Sequence, residues 1–194
     1  MMVSNIKKQL TGNIDVGYFA RFLLLLLILY YGNLFYIAVI DENGRLYSSF
    51  LNEHLNYINW LRNSYLYTTV KLSGLIGIHA HITFPYWVTA KSGAFIEMVY
   101  ECLGLGFFSF WTAFVWANKN TIATKLTWWI AGVASIWFIN CVRVTLLLAA
   151  LEKHWQYNRF MNHHTLFNYV AYTLIGVFIY YYMRDKKVRR SLAA

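Results

Sequence analysis

The unbroken run Leu23-Leu24-Leu25-Leu26-Leu27, set within an apolar stretch over residues 18–40, limits what this chain can become more than any other feature. About 20 apolar residues in a helix cross the roughly 30 Å hydrocarbon core of a bilayer. Lipid offers no partners to backbone N–H and C=O groups, so a lone run of this kind folds as a helix. Lys7 and Lys8 precede it and Arg21 lies near its start, which holds its N-terminus on the cytoplasmic side. Its apolar core is longer than that of a cleaved signal peptide and no clear small-residue cleavage site is present, so it reads as an uncleaved anchor. Further apolar stretches of spanning length occupy residues 95–117, 126–151 and 165–183.

Composition points the same way. Of 194 residues, 59% are hydrophobic and only 13% charged, against roughly 25% charged in soluble domains. The fold class expected is all-α: one transmembrane domain over residues 1–194, a polytopic helix bundle with a small extracytoplasmic hairpin. The formal net charge of +9 gathers at the edges of the apolar runs. That is the pattern of positive charge kept inside, and no basic stripe suits nucleic acid. Four crossings starting inside put the loop 118–125 and the basic tail 184–190 in the cytoplasm, so both termini are cytoplasmic.

Residues 41–94 are extracytoplasmic or partly inserted. The stretch 41–62 is mixed in polarity, and 65–78, which carries Lys71, reads as an interfacial or partly inserted helix. Residues 79–93 alternate polar and apolar around Pro85 and read as a short hairpin at the membrane surface. Two extra crossings in this region would leave the orientation of the ends unchanged. The two cysteines, Cys102 and Cys141, lie in apolar segments, which argues against a disulfide framework.

Ionisable groups inside a span are costly and mark functional sites. Read as one helix, residues 95–117 place Glu97 and Glu101 on one face, with Cys102 beside Glu101. At about 1.5 Å rise per residue, Cys102 lies roughly 10 Å below the outer surface and Arg143 roughly 12 Å below it. His163 and His164 stand at the outer mouth of the last span. A thiol, a guanidinium and an imidazole thus converge near the outer face. The types suit acyl transfer: a thiolate nucleophile, a cation for the oxyanion, and a His to move the proton.

At these residues the sequence resembles the exosortase/archaeosortase family of membrane-embedded cysteine transpeptidases. The resemblance is carried by Glu101-Cys102-Leu103-Gly104, by Asn140-Cys141-Val142-Arg143 and by Asn162-His163-His164-Thr165-Leu166-Phe167-Asn168. It covers roughly residues 65–183, the stretch 77–93 being similar to the family's extracytoplasmic hairpin. It implies a multi-pass protein of the bacterial inner membrane whose active site faces outward. It implies Cys102 as nucleophile, Arg143 as oxyanion holder and His164 as acid/base, with no cofactor. The partner it implies is an exported protein whose C-terminal sorting tail is a short motif, a hydrophobic helix and a basic cluster. Two departures stand out. Leu103 replaces the family's small polar residue. The His is doubled, and Asn168 holds the place of a Gly four residues after His164, which favours His164 over His163. Cys141 matches no catalytic position.

Other readings compete. Cys102 alone is a packed thiol, Arg143 a structural ion pair, and the His pair a polar helix start. A membrane scaffold or a transport or export accessory subunit explains the composition equally well. His79 and His81 share one side of a strand, and with His154 and His163 they raise a bis-His haem protein as a further alternative.

Overall fold

In a computed structural model, the structure describes residues 16–83, 85–153 and 163–184, with only the backbone described for 163–168, 170, 171 and 174. The chain is mostly helical. In order it runs α1 (Val16–Ile40), α2 (Ser49–His54), α3 (Tyr57–Leu75), β1 (Ala80–Thr83), β2 (Trp87–Ala90), β3 (Phe95–Glu97), a 3-10 turn (Tyr100–Leu103), α4 (Leu105–Ala117), α5 (Ile122–Glu152) and α6 (His163–Arg184). Among the described residues two helices, α1 and α5, are long and apolar enough to cross a membrane. The basic segments on which orientation was read, before residue 16 and after Arg184, lie outside the described residues, as does His154.

The helix α1 buries only Val39 and Ile40 and leaves Leu24, Ile28, Tyr31 and Phe35 exposed. It lies antiparallel to α4: Phe22 meets Phe110 edge-on at 5.5 Å, and the Tyr18 hydroxyl donates to the Phe114 carbonyl at 3.3 Å. A second polar link crosses this apolar seam, where Asn33 Nδ2 donates to Ser109 Oγ at 3.0 Å. Between α4 and α5 the tight fit depends on Gly132. A Cβ at that position would fall inside the Trp111 indole, which lies against the α5 backbone and donates to the Trp128 carbonyl at 3.2 Å. The last helix runs parallel to α4, with Phe107 against Tyr172 at 5.5 Å and Trp111 against Tyr182 at 6.2 Å.

The chain between α1 and α4 forms a cap. Helix α3 buries Ile58, Arg62, Tyr65, Leu66, Thr69 and Ser73, a stripe of helical period that mixes apolar and polar groups. It packs on α5, where the Trp137 indole donates to Ser64 Oγ at 2.9 Å. The three strands form an antiparallel meander, β1-β2-β3, with Val88 paired to Ile82 and Ile96. Val88, Ala90, Met98, Leu103 and Leu148 join the α3 stripe in one core. At the hairpin tip the Ser92 hydroxyl donates to the Glu152 carboxylate, tying the sheet to the end of α5.

One expectation is corrected. Residues 95–117 are not a single helix: their first part is β3 and a 3-10 turn, and the helix begins at Leu105. Glu97 closes a strand and Glu101 sits in the turn, both exposed, so they share no helical face. The depth assigned to Cys102 fails for the same reason. Apolarity alone does not separate a short buried strand from a helix, and Gly104 interrupts the run. The expected hairpin is present, enlarged by a third strand.

Because Gly132 has no room for a side chain, Gly132→Ala should destabilise the protein by about 1–3 kcal/mol through overpacking. Gly32, which has open space around it, should tolerate alanine with little change. Thermal unfolding of the full chain in detergent checks this, and equal melting temperatures for the two variants would contradict it.

Candidate functional site

The 3-10 turn Tyr100–Leu103 carries Cys102. Its N–H donates to the Val99 carbonyl at 3.0 Å, which closes the turn. Gly104 then takes φ +72°, a left-handed conformation that a Cβ disfavours. That single residue redirects the chain into α4, whose Phe107 and Phe108 N–H groups donate to the Gly104 carbonyl at 2.9 and 3.1 Å. Glycine is therefore required here by backbone geometry.

Two successive carbonyls of the turn are taken by side chains from two different helices. Asn140 Nδ2, on α5, donates to the Cys102 carbonyl at 2.7 Å. The Tyr65 hydroxyl, on α3, donates to the Leu103 carbonyl at 3.1 Å. The two donors thus hold neighbouring carbonyls of one turn from two sides. Stacking of Tyr65 against Trp137 at 6.4 Å holds the phenol in place.

Arg143 stands three residues beyond Asn140, on the same face of α5. Its positive charge acts directly on the Cys102 thiol. The two ends of the Asn-x-x-Arg spacing thus serve one turn, the first gripping its backbone and the second acting on its thiol through charge. Burial pushes the Cys102 thiol above its ordinary value; Arg143 and a backbone hydrogen bond to Val99 pull it back, and Glu101 adds to the rise. Burial wins, so the resting group at neutral pH is the thiol.

Cys102 and Arg143 are therefore brought together. His163 and His164 open α6, but their side chains lie outside the described residues. Because α6 runs parallel to α4 and Phe107 meets Tyr172, the start of α6 lies toward the Cys102 end of the bundle. Cys141 is fully buried in the core with its carbonyl accepting from Thr145 Oγ1 at 2.8 Å, a packing role. His79 and His81 are exposed, and among the described residues no three His, Cys, Asp or Glu side chains gather as metal ligands.

Two residues escaped the sequence reading. Tyr65 was the start of an apolar stretch with no mark of a polar partner. Arg62 is almost wholly buried, its guanidinium carbon 3.8 Å from the Tyr86 ring centre and 4.5 Å from that of Tyr100. Its recurrence with Ile58, Leu66, Thr69 and Ser73 at helical spacing was the available signal. No protein-family model, curated protein or solved structure matches the chain.

The thiol's protonation has a readable consequence. Iodoacetamide labelling of Cys102, followed by peptide mass spectrometry, should be slow at pH 7 and rise about tenfold per pH unit towards pH 9. Removing the cation lifts the thiol further, so Arg143→Met should slow labelling at each pH by up to about tenfold. Labelling that is already fast and flat from pH 7, or that ignores Arg143→Met, would contradict this account.

Proposed function

We propose that the protein is a membrane-embedded cysteine peptidase or transpeptidase that cleaves the C-terminal sorting region of exported proteins. The observation that carries this reading is that one helix acts twice on one turn: Asn140 donates to the Cys102 carbonyl, and the charge of Arg143 favours the ionised form of the Cys102 thiol. A cysteine retained only for packing requires neither.

The membrane setting of the proposal is a multi-pass bundle with the cap and Cys102 on the extracytoplasmic side. The exposed apolar length of α1 supports it, because lipid covers what the protein leaves bare. At 31 residues, α5 reaches about 46 Å, longer than the hydrocarbon core, so its Glu152 end stands clear with the hairpin. At 13 residues, α4 is short for a span, and the turn and cap above it complete the barrier.

The chemistry follows from the groups. His164 takes the thiol proton, and the Cys102 sulfur attacks the scissile carbonyl carbon. The carbonyl electron pair moves onto oxygen, where Arg143 balances the charge. As the C–N bond breaks, His164 returns the proton to the leaving amine, and the acyl group stays on sulfur as a thioester. An amine or water, deprotonated by His164, then attacks the thioester and releases the thiol. The substrate's hydrophobic helix would lie beside the bundle, with its motif at the outer face.

Co-expression with a secreted protein bearing a motif–helix–basic tail, followed by immunoblot of tail size, tests this. Wild type should shorten the tail, and Cys102→Ala and His164→Ala should not, whereas His163→Ala should. Arg143→Ala should slow cleavage about 10²–10³-fold, the usual loss of an oxyanion donor. Shortening by the Cys102→Ala protein would refute the mechanism.

A further inference from the structure

Helix α3 covers only part of the bundle. It starts at Tyr57, whose ring meets Tyr36 of α1 at 4.6 Å and whose hydroxyl donates to Asn33 Oδ1, and from there it runs toward the sheet. On the other side of that start, toward the α4–α5 loop, the bundle face is bare: Ile130 is 54% exposed and Trp116 39%. A groove of about 470 Å³ opens there between α1, α3, α4 and α5, with Leu61, Phe108, Ile130 and Val133 on its walls. The indoles that line it are already bonded within the protein, Trp129 Nε1 donating to Thr112 Oγ1 at 3.0 Å and Trp137 Nε1 to Ser64 Oγ at 2.9 Å. Such a groove does not order water, which needs two or more polar partners. Left empty, it forfeits dispersion contacts along its whole length. Hydrocarbon is what it suits.

Its dimensions select the kind of hydrocarbon. Along α5 the lining runs from Trp129 to Trp137, about 12 Å. A helix about 10 Å across would displace roughly 900 Å³ over that length, close to double the volume present. A single acyl chain is far thinner. The seam also continues beyond the groove. Trp116 follows Thr112 by one helical turn on α4, and Lys125 precedes Trp129 by one turn on α5, so both extend the same faces. There Lys125 Nζ donates to the Trp116 carbonyl at 3.3 Å and lies 5.7 Å from the Trp116 ring centre. From Lys125 to Trp137 the distance is about 18 Å, near half of the roughly 30 Å hydrocarbon core and so the depth of one leaflet. Lys119 belongs to the same end of the bundle. Neither α4, the loop 118–121 nor α5 before Glu152 contains an Asp or a Glu to offset these cations.

We propose that this groove holds one acyl chain of an anionic phospholipid, with the lipid phosphate at Lys125 and Trp116 at the level of the headgroup. The dry apolar walls account for the chain, and a cationic end without opposing carboxylates accounts for the charge. The lipid completes the packing between α1 and α5 that α3, by starting where it does, leaves open. This inference rests on the membrane setting proposed above and is independent of the cysteine chemistry.

The test is native mass spectrometry of the full-length protein in detergent, titrated with dipalmitoyl phosphatidylglycerol, dipalmitoyl phosphatidylcholine and glycerophosphoglycerol. Phosphatidylglycerol should bind about fivefold tighter than phosphatidylcholine, the worth of one lysine beside an anionic headgroup. Glycerophosphoglycerol, the same headgroup without chains, should bind about tenfold or more weaker than the lipid. Lys125→Gln should remove the preference and leave phosphatidylcholine binding unchanged. Ala134→Phe, which puts a ring into the groove from an exposed position, should weaken both lipids about tenfold. Ala131→Phe, exposed on α5 outside the lining, should weaken neither. Equal affinity for the two lipids, no adduct with either, or equal losses in the two Phe variants would overturn the proposal. A dimer mass that Ala134→Phe abolishes would overturn it too, by giving the groove to a second copy of the chain. Cys102→Ala should bind lipid as wild type does. A protein that stays dispersed without detergent would defeat the membrane setting, whereas one that needs detergent but shows no lipid preference would defeat this inference alone.

Discussion

Two carbonyl oxygens of one short turn, those of Cys102 and Leu103, have to find donors away from solvent, and the way they find them organises the molecule. A 3-10 turn leaves its last carbonyls without intrahelical partners. Here Asn140 and Tyr65 supply the missing donors from α5 and α3. Each bond contributes only about 1 kcal/mol net, but a buried carbonyl left unmet costs about 1–3 kcal/mol. That asymmetry fixes the relative placement of three elements. It sets α3 on α5 at the level of Trp137, and it sets the turn at the level of Arg143. Sliding the cap along the bundle would break these bonds as well as the shared apolar core.

What was legible in the sequence follows from which signals are local. The helix α1 was legible because apolarity sustained over its length favours one continuous helix, and its bounds moved only from residues 18–40 to Val16–Ile40. The alternating stretch before and after Pro85 was legible as a hairpin because a period of two is visible within a few residues. The stretch from Phe95 was not, because β3 is three residues long and lies next to an apolar helix, so its period never declares itself. Gly104 carried the missing information, as a left-handed residue at the boundary. Its place in the Glu101–Gly104 quartet drew attention to the cysteine instead. The juxtaposition of Cys102 and Arg143 was anticipated from depth along two helices, yet the geometry that produces it is a turn clasped by a helix. The partners of that clasp, and the cage around Arg62, depend on contacts across 24 to 38 positions of chain. Spacing along one element contains no trace of them.

The turn also explains how two arginines can serve one short segment. Successive side chains of a 3-10 helix are separated by about 120°, three to a turn. Tyr100 and Cys102, two apart, therefore leave the turn in different directions. The first stacks on Arg62, and the second feels the charge of Arg143.

The protonated state of Cys102 bears on how such a site would distribute its electrostatics. A cation that ionised the thiol at rest would stabilise the ground state, and binding the ground state more tightly does not lower the barrier to reaction. It would also weaken the nucleophile, because thiolates of lower pKa attack more slowly. Burial at Cys102 outweighs the pull of Arg143, so the thiol rests neutral. On the proposed reading the positive charge would act on the oxyanion that forms only as the sulfur adds to the carbonyl. Such an arrangement requires a separate base to collect the proton at that moment. On the proposed reading that base is His164, at the start of a helix running parallel to α4.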